Sequence, residues 1–438
     1  MQRVLSLGSS PPLAVPLRFF LTAPLFAVIA GLLLAWQGPS LLASRWLPGT
    51  LAFTHLITLG FLSMSMVGAL IQILQVAAGV TIPYAQTMAN AVHALLCLGA
   101  SALAGAFLGG DAYAYGSALI CLVAAFAWLA AACAAGILRA AQVSPILAAI
   151  RYALAGLVCT VILGTAAGLA ISGRLSIPLE TLANLHAGWG TMAWIGLLVI
   201  GVAYQVVPMF QVTEAYPKAL TQGLARTVFG GLAVWALSYC LLQESERHWS
   251  RAPLAVAVIG YGIFAVVTLH LIRHRKRPQT QATTLFWYLS LTCLLAAIAL
   301  WTSAQFLPNL ADDVRYPPAL GLLILIGFAY SLVNGMLYKI VPFLVWYHLQ
   351  EKLGAQGMKA PNVRQIVDEK HALRQFLLHL SALLLLLASF LYPSIARVAG
   401  LLFAADAGWL LMLLAKAALL YRANLPPHLP TQTMSLHS

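Results

Sequence analysis

Five ionisable side chains stand inside long apolar runs: His55, His93, His186, His379 and Asp406. His55 lies about five residues into its segment, roughly 8 Å deep at 1.5 Å per residue, and His186 reaches a similar depth. Imidazole nitrogen ligates heme iron and copper. An ionisable group at such depth either serves function or is tied to a neighbouring helix by hydrogen bonds. His55 and His186 are therefore candidate cofactor ligands. His93, roughly 12 Å from its nearer segment end, is a third candidate metal ligand or else a packed polar link. Asp406 is the one carboxylate well inside a segment. A charge near the bilayer centre costs about 2.5–3.5 kcal/mol, which predicts that Asp406 faces protein. His379 lies at nearly the same depth in the preceding segment, so the two are expected to pair. That pair would act as a structural hydrogen bond or in proton handling.

The elements that must position these groups follow from composition. The chain has 438 residues, 61% hydrophobic and 8% charged, where soluble domains carry about 25% charge. It is read as an all-α polytopic membrane protein. Twelve apolar segments fall near 16–37, 50–78, 85–109, 113–139, 145–173, 181–212, 219–243, 250–273, 280–305, 316–348, 372–391 and 394–421. Each can cross a hydrocarbon core of about 30 Å as a helix. The first is read as a span and not as a cleaved leader. With the first residue inside, 18 Lys and Arg fall at inner ends and 6 at outer ends. The net charge of +13 is thereby explained as loop bias, with no nucleic-acid partner. The expected location is the cell inner (plasma) membrane, with both termini cytoplasmic and lipid as the main partner. The six cysteines lie in apolar segments with no CxxC and read as small buried hydrophobes. No phosphate-binding glycine loop, nucleophile elbow or zinc signature appears.

One motif recurs three times: GALIQILQ from Gly68, GVAYQVVP from Gly201 and GMLYKIVP from Gly335, at intervals of 133 and 134 residues. It places Gly first, a polar residue fifth (Gln72, Gln205, Lys339), and Pro last in two copies (Pro208, Pro342). Tyr204 and Tyr338 hold the fourth place in those copies. The copies fall at the inner ends of the second, sixth and tenth segments. The period predicts three parallel four-helix pseudo-repeats, about 14–142, 143–277 and 278–422, followed by a disordered tail over 423–438. The polar fifth residues are expected to tether inner helix ends or line a vestibule. The prolines are expected to end or kink their helices, and the tyrosines to hydrogen-bond at the interface.

Three four-helix units, the inner-end pattern G-x-x-Y-x-φ-φ-P and His55 on the second helix resemble the main subunit of heme–copper oxidases and nitric oxide reductases, the C-type oxidases in particular. The resemblance implies a low-spin heme ligand at His55. It also implies two histidines on the tenth helix and a copper-site histidine pair around the seventh. The stretch Tyr316–Pro342 and the seventh helix contain no histidine. The expectation is therefore an oxidase-like scaffold that is not an oxygen reductase. It would bind heme or copper through His55 and His186 in a redox, gas-handling or accessory role beside redox or respiratory partners. Two other readings stand: a cofactor-free transporter or channel on the same scaffold, and a structural partner of a respiratory complex. His55 precedes its motif glycine by 13 residues and His186 by 15. Two residues turn a helix by about 200°, so a bulge or a difference of role must separate the two histidines. Gly60 and Gly190, close after them, would admit a porphyrin or a neighbouring helix.

Overall fold

The computed structural model describes residues 11–76, 78–110, 112–140, 144–277, 279–354 and 357–425. The expected unit boundaries at 142–143 and 278 fall outside the described residues, as do residues 426–438 of the expected tail. No strand occurs among the described residues. Twelve helices are long and apolar enough to cross a membrane: α1 Ala14–Leu42, α2 Pro48–Val76, α3 Ala85–Gly109, α4 Tyr113–Leu138, α5 Pro145–Ile171, α6 Leu179–Gln211, α7 Lys218–Leu241, α8 Ser245–Arg273, α9 Ala282–Phe306, α10 Tyr316–Gly354, α11 Glu369–Ala388 and α12 Pro393–Ala423. Lipid offers no partner to a peptide group, so each span closes its own backbone hydrogen bonds.

The motif-bearing helices are the innermost. Between 67% and 78% of the apolar window of α2, α6 and α10 is buried, against 56% at most elsewhere. The other nine spans form a closed ring around them, sealed where α12 packs along α1. That seam depends on two glycines. A Cβ at Gly31 would stand 2.6 Å from the Ala404 nitrogen, and one at Gly400 would stand 2.5 Å from the Ala35 nitrogen. Small residues let two backbones approach this closely where no hydrophobic force draws helices together.

The three inner helices share a local feature that composition does not reveal. Each contains a π-helical stretch: Leu56–Ser63, Trp189–Gly196 and Leu323–Tyr330. Each stretch begins twelve residues before its motif glycine, at 56, 189 and 323. The wide i→i+5 turn is rare and recurs at functional sites. The stretches of α2 and α6 both touch that of α10. Trp194 Nε1 on α6 donates to Ser63 Oγ on α2 at 3.2 Å. The motif glycines themselves admit the preceding ring helix: Gly68 receives Phe19 of α1, Gly201 receives Ala149 of α5, and Gly335 receives Phe286 of α9. Phe19 and Phe286 are separated by the same number of residues as Gly68 and Gly335.

Of the two outcomes expected for the motif prolines, an end is excluded at Pro342, since α10 runs on to Gly354, and Pro208 lies three residues before the end of α6. His348 lies within α10 and is buried.

Candidate functional site

A cavity of about 970 Å³ opens at the end of the bundle that carries the α1–α2 and α9–α10 links, opposite Ala14 and Ala423. Its interior wall is apolar and aromatic, with Phe107, Leu119, Phe126 and Trp194 among the lining side chains. His55 and His186 both reach it. Their ring centroids are 6.1 Å apart and their planes differ by 14°.

Each imidazole is held by one nitrogen. His55 Nδ1 lies 2.8 Å from the Leu51 carbonyl, and His186 Nδ1 lies 3.0 Å from the Thr160 carbonyl. A carbonyl only accepts, so both Nδ1 atoms carry the proton and both Nε2 atoms keep a lone pair. Backbone carbonyls bonded in this way fix the tautomer and orientation of ligating histidines. Gly164 makes the second contact possible: a Cβ there would stand 2.8 Å from His186 Cε1. The Phe107 ring packs on His55 at 5.1 Å.

The two-residue difference in register has a geometric cause. Both histidines precede the π stretch of their helix, so the bulge does not separate them. Instead α2 and α6 present different faces to one cavity. Gly188 occupies the position in α6 equivalent to His55, and it makes room for Trp235. Phe53 occupies the position in α2 equivalent to His186, and it packs against Phe403.

The mouth of the cavity is cationic, with Arg45, Arg247 and Arg251 on its lining. Arg45 donates to Asn184 Oδ1 at 2.6 Å and approaches Glu180 at 3.5 Å. Burial lowers the Arg45 guanidinium from its ordinary value, and Glu180 opposes that shift. Asn184 also donates to Tyr239 Oη at 2.9 Å, and Arg247 lies over the Tyr239 ring. From α10, Tyr316 lines the cavity together with the apolar Leu320, Gly321, Leu322, Ile324 and Leu325, and no histidine does.

A metal held end-on between two imidazole nitrogens at about 2 Å from each separates the ring centroids by about 6 Å, the spacing found. Among the described residues no group of three His, Cys, Asp or Glu is placed to hold a metal. Two nitrogens suit a prosthetic group that brings its own in-plane donors, and the apolar walls and cationic mouth suit a porphyrin with two carboxylates. The residues present therefore fit heme.

The other sequence candidates lie elsewhere. His93 is not on the cavity; its Nε2 bonds Thr22 Oγ1 at 2.9 Å and its ring meets Phe19 edge-on. Gly190 lines the cavity, whereas Gly60 receives Phe26 of α1. Tyr204 donates to the Leu220 carbonyl. Tyr338 is buried, its hydroxyl without a protein partner. Gln72 is buried and Gln205 half-buried, while Lys339 Nζ donates to Gln281 Oε1 at 2.6 Å. Asp406 and His379 meet at 2.9 Å, both fully buried. Gln375 Nε2 donates to Asp406 Oδ1 at 2.5 Å, and His379 Nε2 lies 2.7 Å from Ser331 Oγ.

Sequence reasoning missed Gly164, the arginine mouth and Ser331. Arg45 comes from the α1–α2 link and Arg247 and Arg251 from the start of α8, far apart in sequence, and Gly164 acts through a helix that carries no candidate ligand. Gln375 was legible in principle, because it stands four residues before His379 and so shares its helix face. Comparison with protein-family models and with curated proteins found no match for this chain.

Proposed function

We propose that this membrane protein binds a heme between His55 and His186 and serves one-electron transfer or a related redox accessory role. The observation that carries the reading is the pair of near-parallel imidazoles, each fixed through Nδ1 with Nε2 left to ligate. Bound there, a heme supplies a one-electron couple. His55 and His186 would hold it through their Nε2 nitrogens. The arginines at the mouth would neutralise its carboxylates, and the aromatic wall would keep water from its faces.

Were both imidazoles to hold the heme, α10 would add no further ligand, since the residues it gives the cavity include no histidine where the resemblance implies two. The role is accordingly electron transfer or accessory, without oxygen reduction. The repeated motif, the π stretches in register and the three central helices support descent from the heme–copper oxidase scaffold as three four-helix units. The Lys and Arg distribution supports cytoplasmic termini in an inner (plasma) membrane, with the cavity facing out toward a redox partner.

A reduced-minus-oxidised visible spectrum of the purified protein, with metal analysis, tests this. A Soret band lost in His55→Ala and in His186→Ala supports it. Stoichiometric copper without heme would replace heme by copper at the same pair. A colourless, metal-free protein from heme-replete cells would leave the transporter reading.

A further inference from the structure

Asp406 on α12, His379 on α11 and Ser331 on α10 form a chain of hydrogen bonds that the redox site does not use. His379 Nδ1 lies 2.9 Å from Asp406 Oδ2, and His379 Nε2 lies 2.7 Å from Ser331 Oγ. Ser331 Oγ also lies 3.0 Å from the Ile326 carbonyl, which already accepts the Ser331 N–H within the π stretch. All three side chains are fully buried.

The same heavy-atom positions satisfy two proton counts. In one, the Ser331 hydroxyl donates to Ile326, His379 Nε2–H donates to Ser331, and one further proton lies between His379 Nδ1 and Asp406 Oδ2. The pair is then neutral overall. In the other, that further proton is gone. The Ser331 hydroxyl donates to His379 Nε2, and Nδ1–H donates to an ionised Asp406, which also accepts from Gln375 and Tyr330. The two states differ by one proton and one hydroxyl rotation. A buried polar group without a partner is costly, and here neither state leaves one.

A route for that proton is built into the same helices. Below Ser331 on α10 come Asn334 and Tyr338, one and two turns on, and below His379 on α11 comes Gln375. Both directions lead to the end of the bundle that holds the termini. Among the described residues, both side-chain polar atoms of Asn334, the Tyr338 hydroxyl and Gln375 Oε1 are buried with no hydrogen-bond partner. Buried polar atoms of this kind are the sites that ordered water occupies. Tyr338 and His379 pack around the same Phe286 ring of α9. Beyond Tyr338, Lys339 meets Gln281, and Glu369 accepts from the Ala282 N–H at 2.5 Å.

We infer that Asp406, His379 and Ser331 form a buried site that takes up and releases one proton, exchanged with the terminal face through the hydrated track past Gln375, Asn334 and Tyr338. The ionisable groups facing Asp406 are His379 from α11 and Tyr330 and Tyr338 from α10; α9 contributes Phe286. This reading stands independently of the heme.

The test is infrared spectroscopy on the full chain in lipid nanodiscs carrying ¹³C-labelled aspartate carboxyls, across pH and after pH jumps. The account expects a protonated-carboxyl band at low pH that disappears on raising pH, is absent in Asp406→Asn and shifts its midpoint in Ser331→Ala. Tyr338→Phe should slow its decay after a jump and leave the midpoint in place. Asp406→Asn keeps an acceptor oxygen and an amide donor, so its fold is checked by an unchanged elution profile. A Ser331→Ala midpoint equal to wild type, or a carboxyl that never changes state between pH 5 and 9, would overturn the proposal and leave a structural hydrogen bond.

Discussion

At the scale of the residue, the site is two imidazoles made equivalent by carbonyls. Neither Leu51 nor Thr160 contributes a side chain to that contact; each contributes a carbonyl oxygen. Gly164 is the residue on which this depends most. Gly164→Val places methyl groups where the His186 ring lies, so the ring must turn and lose the Thr160 contact. Heme content per protein should fall strongly, while Gly105→Val, in open space on α3, should leave it unchanged. Pyridine hemochrome analysis of the two variants checks this. His55 and His186 were both readable from sequence as deep histidines in apolar segments. Their joint use as ligands was expected from that shared depth, although their different offsets from the motif left open a bulge or a difference of role between them. Asp406 and His379 were readable as a pair from depth alone. Ser331 was not, since serine in a helix most often bonds its own backbone.

At the scale of the element, the inner helices differ from ordinary spans in their π stretches. Twelve spans were legible from hydropathy, with ends shifted by a few residues, because apolar length is a direct reading of bilayer thickness. The π stretches were not legible, since a one-residue insertion in a helix carries no compositional mark. Their shared distance from the motif glycine ties the repeat to geometry as well as to residue type. The α1–α12 seam makes a further prediction at this scale. Gly31→Leu and Gly400→Leu each force a side chain into opposing backbone, and overpacking of this kind costs about 1–3 kcal/mol. Both variants should unfold at lower temperature in detergent than wild type. Gly105→Val, with no neighbour to meet, should not.

At the scale of the molecule, three buried helices inside a ring of nine put the cavity at one end and the Asp406 network nearer the other. Loop charge predicts which end is which. A cysteine placed at Glu246 should react with an impermeant maleimide from the external side of intact cells, and one at Lys359 only after permeabilisation. The reverse pattern would invert the topology and turn the cavity mouth to the cytoplasm. Helix α10 keeps GMLYKIVP and its π stretch, yet the residues between Tyr316 and Ile326 that it gives the cavity include no histidine. The central claim remains the heme between two near-parallel imidazoles, and electron paramagnetic resonance of the oxidised purified protein tests it most directly. The account predicts a rhombic low-spin ferric signal of bis-imidazole type, lost in His186→Ala. A high-spin signal, or no ferric heme signal in protein from heme-replete cells, would contradict it.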